Sequence, residues 1–195
     1  MEFRLFYRGP LKANGDKIHK HHIRRQFHPQ LKNLWNQSPL RDVLPIPLSQ
    51  GIESIQSSLQ VLGIEEPFEN IGGCNFFPLI RKDFHLVAQL EIILLRPEEP
   101  GAIITQGGDI DNRLKTLFDA LRMPKEINEL PPSYVPTADE NPLFYCLLQD
   151  DALITGVSVI TDRLLSACAG EEVILLVKTR ITGTKSTWIN QGITG

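Results

Sequence analysis

The chain has 195 residues, 42% of them hydrophobic, with 20 Lys and Arg against 23 acids and a net charge of -3. That length and apolar content suffice for one compact core, and no run approaches the roughly 18 apolar residues of a membrane span. The opening MEFRLFYRGP has no apolar signal core, and Cys74, Cys146 and Cys168 are widely spaced without a C-x-x-C, so a cytoplasmic protein lacking structural disulfides is expected.

In chain order, a strand is expected over residues 2–7. Residues 17–35 then place Ile18, His22, Ile23, Phe27, Leu31, Leu34 and Trp35 at mostly helical steps, which predicts an amphipathic helix bent or broken at Pro29. Its other side gathers Lys17, Lys20, Arg24, Arg25 and Lys32, a basic face open to phosphates unless it is simply a solvated helix surface. His19, His22 and His28 have neither a partnering Cys nor an H-E-x-x-H spacing, so zinc binding there is a minority reading. Trp35, ending the apolar stripe, reads as core. A Pro-rich connector over 38–49 and a helix over 51–62 follow, then strands over 74–80 and 85–95 and an edge strand over 102–105. A helix is expected over 112–121, from the stripe Leu114, Leu117, Phe118 and Leu121, and an extended loop over 124–142. Strands over 153–160 and 172–182 close the fold, and the polar, glycine-rich tail 183–195 is expected to fray.

The acids of GGDIDNRLKTLFDAL carry the chemistry. Asp109 and Asp111 are one residue apart, so in an extended segment both carboxylates point to one side. Such a pair repels unless a cation or protons intervene, and Mg²⁺ takes one or two carboxylates together with waters and phosphate oxygens. Asp111 is expected at or near the helix N-cap, with Lys115 and Asp119 following at steps of four along one face. Singly, these residues read as a cap and an ion pair, and Asp150 with Asp151 as a turn after the apolar run 143–148. Together they form a compound pattern that capping does not require.

The segments DIDNRLKTLFDAL and LLQDDALI resemble the RusA-type Holliday junction resolvase family, whose pattern is D-x-D-N, a Lys four residues on, F-D-A-L, and later a D-D pair before a strand. The resemblance implies an α+β fold, a compact two-layer domain with a mixed β-sheet packed by helices, and a homodimer that cuts branched DNA using Mg²⁺, with Mn²⁺ as a substitute. It assigns metal binding to Asp109, Asp111 and Asp151 and a catalytic place to Lys115, with Asp150, Asn112 and Asp119 on matching positions as possible support. Against that pattern, residues 36–83 and 122–149 read as insertions.

Charge is uneven: residues 1–50 carry nine Lys and Arg against three acids, and the remainder eleven against twenty. The N-terminal portion is therefore the expected grip on DNA phosphates. Two other classes stay open. One is a nucleotidyl or glycosyl transferase with a metal-binding D-x-D, although no Gly-rich phosphate loop accompanies it. The other is a RusA-like DNA-binding or protein-interaction module that does not cleave.

Overall fold

The computed structural model describes residues 1–43, 51–61, 63–98, 110–166 and 172–194. The expected edge strand over 102–105 and Cys168 lie outside them. The fold is α+β, and in place of the expected single sheet the described residues form two mixed sheets packed with helices.

The first sheet has the order β1 (Glu2–Pro10), β7 (Glu172–Gly183), β4 (Leu86–Arg96), β6 (Ile154–Arg163). β7 runs antiparallel to both neighbours, and β4 and β6 are parallel. Strict alternation builds it: Leu5 and Tyr7 of β1, Leu90, Ile92 and Leu94 of β4, and Val173, Leu175 and Val177 of β7 face inward and are buried. The outward side is unusual. Phe6 pairs with Leu176, Leu176 with Ile93, and Ile93 with Ile160, which makes an apolar row across all four strands. Phe6 is 47% exposed, Ile93 39% and Ile160 61%.

The second sheet has the order β2 (Glu69–Ile71), β3 (Cys74–Ile80), β5 (Phe144–Leu148), with β3 and β5 parallel. All of β5 is buried, as strands covered on both faces are. Cys74 and Cys146 lie in a small cluster with Phe76, Met123, Leu130 and Phe144. Burial there pushes the Cys74 thiol up to about 11 and the Cys146 thiol up to about 12.

Helix α1 (Lys17–Trp35) ties the sheets together, packing on β1, β5 and α4 (Ile110–Leu121). Asp16 caps it by accepting from the His19 amide at 2.8 Å. Of the expected bend or break at Pro29, the break is absent: the helix runs through it, with Pro29 on the exposed face. Ile23, Phe27, Leu31 and Trp35 are buried, each contributing about 1.5–3 kcal/mol. α2 (Leu40–Val43) and α3 (Ile52–Val61) follow; Leu40, Ile55 and Leu59 join the main core.

The tail does not fray over its whole length. Residues 188–194 form α5 (Trp188–Thr194), which docks on α2 and β7. Asn190 holds it by donating to the carbonyls of Phe84 at 3.1 Å and Lys185 at 2.5 Å, and Ile193 is buried. Among the described residues, no helix is long and apolar enough to cross a membrane.

Candidate metal centre and nucleic-acid surface

Helix α4 presents the first half of the acidic pattern, and its N-terminal turn is fixed by the loop before α1. Gly15 donates its amide to Thr116 Oγ1 at 2.9 Å, and the buried Arg113 guanidinium donates to the Leu11 carbonyl. A Cβ on Gly15 would lie 2.6 Å from the His19 ring and 2.8 Å from the Thr116 methyl, so the close approach needs glycine. Leu117, Ala120 and Leu121 turn into the core, and Asp111 and Lys115 remain exposed.

Asp111 lies in the first described turn of α4, near its N-terminus as expected, and its backbone is helical. The extended alternation expected of the D-x-D therefore does not apply to it. Asp109 lies outside the described residues. Asn112 is half-buried, and its carbonyl accepts from the Asn14 amide at 3.5 Å and the Thr116 hydroxyl at 3.1 Å.

The second half of the pattern follows β5. The Met123 amide donates to the Leu148 carbonyl, and the Gln149 amide to that of Ile80, both at 2.9 Å, joining the C-terminal end of α4 to β5 and β3. Asp150 then caps a 3-10 turn, Asp151–Leu153, by accepting from the Ala152 amide at 2.9 Å. This turn packs against α4 and leads directly into β6. The Ala152 amide and the Lys125 ammonium, 2.9 Å away, hold the Asp150 carboxyl down at about 2, with a side-chain contribution from Asp151. Asp151 itself is exposed. Among the described residues, neither Asp111 nor Asp151 is engaged in an ion pair, nor is Lys115. These residues form no cluster of three or more metal-ligating side chains.

Asp119, the remaining acid of α4, is committed to structure. Lys20 reaches it at 2.8 Å and Arg122 at 3.1 Å. Burial raises its carboxyl, but these two cations outweigh burial and the net shift is downward.

The basic face of α1 differs from the expectation. Arg24 is 2% exposed and donates from Nε to the Arg122 carbonyl at 3.0 Å and from Nη2 to the Asp119 carbonyl at 2.8 Å, so it holds the end of α4 and does not face phosphates. Lys20 is paired with Asp119, Arg25 with Glu140 at 2.7 Å, and Lys32 with Asp139 at 3.0 Å. Lys17 is exposed and has no ion pair among the described residues. The pairing acids Asp139 and Glu140, like Lys125, lie in the segment read as a loop. No local signal marks them, because folding alone brings them to α1 and Asp150.

Three histidines of α1 are core residues. His28 accepts from the Tyr145 amide at Nδ1 and faces the Asp139 carbonyl through Nε2, an arrangement that suits the neutral Nε2–H tautomer. Burial pushes His21 down to about 4 as its ring meets Tyr134 and Phe144, and burial likewise lowers His19, which accepts from the Lys12 amide.

No protein-family model, curated protein or solved structure matches the chain.

Proposed function

We propose that the protein is a Mg²⁺-dependent, structure-selective endonuclease that hydrolyses phosphodiesters in branched DNA, in the manner of the RusA-type resolvases its motifs resemble. The observation carrying this reading is a pair of exposed carboxylates, Asp111 and Asp151, on two elements in contact, with Lys115 one helical turn from Asp111. Neither acid is used in an ion pair among the described residues, unlike Asp119 and Asp150. The donors fit a hard divalent cation, which prefers carboxylate oxygen, whereas His21 and His28 are taken up in the core. Asp109, Asp111 and Asp151 would hold the ion. A divalent ion held by these carboxylates would supply an activated water and stabilisation of the leaving oxygen. Lys115 neutralises charge on the scissile phosphate. Asp150, occupied by Lys125 and the Ala152 amide, positions the 3-10 turn that presents Asp151.

A two-fold junction suits a two-fold enzyme, and the outward apolar row of the first sheet offers a surface for a second copy.

The test uses a synthetic four-way junction. With Mg²⁺ or Mn²⁺ the protein nicks it, and Asp111→Asn and Asp151→Asn abolish nicking while retaining junction binding. Calorimetric titration with Mn²⁺ detects an ion in the wild type that both variants lose. Junction binding without cleavage under any divalent metal would replace this reading with a non-cleaving module.

A further inference from the structure

Between α1, α4 and the 3-10 turn Ile127–Glu129 lies a cavity of about 160 Å³. Four cations, Lys17, Lys20, Arg24 and Arg122, line it together with two carboxylates, Asp119 and Glu129, and the Asn128 side chain. The wall thus holds a surplus of two positive charges; Arg24 and Arg122 are buried, whereas Lys17 and Asn128 are exposed to solvent. The cations are not equivalent. Arg24 spends its guanidinium on two backbone carbonyls and His21, and Lys20 is paired with Asp119. Arg122 is gripped by Asp119 and Glu129, yet its Nε is buried without a hydrogen-bond partner. Lys17 opens α1, where the helix end adds partial positive charge, and its ammonium has no ion pair among the described residues. The charges on this wall without a carboxylate partner among the described residues, those of Lys17 and Arg24, would be balanced by an anion. The space far exceeds the roughly 10–15 Å³ that one water needs.

We propose that this cavity is a phosphate-binding pocket in which Lys17 supplies the mobile ammonium, the exposed Asn128 a further donor, and the held Arg24 and Arg122 a fixed positive field. That the phosphate belongs to a DNA backbone rests on the nuclease reading. Asp119 follows Asp111 by two turns of α4, about 12 Å of rise, so a strand held at Asp111 and Lys115 would bring a neighbouring phosphate to this pocket.

Calorimetric titration of the whole protein with inorganic phosphate tests it. Wild type binds one phosphate; Lys17→Gln weakens binding about tenfold, the loss of one charge-assisted contact, and Lys17→Arg restores it. Lys17 is exposed, so these variants keep the fold. Asp111→Asn binds phosphate like the wild type, which separates this pocket from the metal centre. A short thymidine oligonucleotide that competes identifies the DNA backbone as the source; failure to compete overturns that source and leaves a free phosphate-bearing ligand. No phosphate binding by the wild type, or equal binding by Lys17→Gln, overturns the pocket.

Discussion

Arg24 carries a lesson about charge on a helix face. By sequence it belongs with Lys20 and Arg25 as a hand for phosphates, but its donors go to the carbonyls of Asp119 and Arg122, nearly a hundred residues away. Nothing local in the sequence separates a cation that caps a distant helix end from one that faces solvent. Arg24→Met should destabilise the protein by about 2–4 kcal/mol in urea unfolding, because a buried and a part-buried carbonyl lose their donor; Arg24→Lys should recover little, lacking the planar fork. Asp150 invites a pH experiment. Its folded-state carboxyl is held at about 2, below the roughly 3.9 of an unfolded Asp, so its contribution is present above pH 4 and is lost as pH falls toward 2. The urea midpoint of Asp150→Ala should therefore lie below that of the wild type at pH 6, with the gap closing on acidification. Equal gaps at pH 6 and pH 3 would refute this. Asp111, Lys115 and the doublet were legible as a compound pattern, whereas Lys125, the partner that occupies Asp150, was not.

Among the elements, alternation made β1, β4 and β7 readable to within a few residues, and the apolar stripe of α4 did the same. Where both faces are buried the period vanishes, and β5, a run of five buried residues, reads equally as strand or buried helix. The split into two sheets was invisible for a related reason: β3 pairs with β5 across more than sixty residues. The tail failed differently. Its polar, glycine-containing composition argues for fraying, yet Asn190 and Ile193 dock α5 through contacts that composition cannot reveal. Asn190→Ala should cost about 1–3 kcal/mol, and hydrogen exchange in α5 should rise ahead of exchange in β7. Exchange rising equally in both would mean that α5 unfolds only with the whole fold.

At the scale of the whole molecule, the outward row Phe6, Leu176, Ile93 and Ile160 is the largest departure from a soluble sheet's polar outer face. Sedimentation should report a dimer for the wild type and a monomer for Ile160→Asp with unchanged circular dichroism; a wild-type monomer removes the two-fold reading. The net charge of -3 matters here as well. With Lys20, Arg25 and Lys32 paired to acids of the same chain and Arg24 buried, the expected DNA-binding face of α1 keeps, among the described residues, only Lys17 without an ion pair to displace counterions. Junction affinity should therefore fall only shallowly with salt, and Lys32→Ala should leave that slope unchanged. The two sulfurs sealed between β3, β5 and Met123 provide a stopwatch for this architecture. An alkylating reagent at neutral pH meets them only when the small cluster parts, so their modification rate counts openings of the second sheet, and a ligand clamped at α4 would be seen as a slower clock.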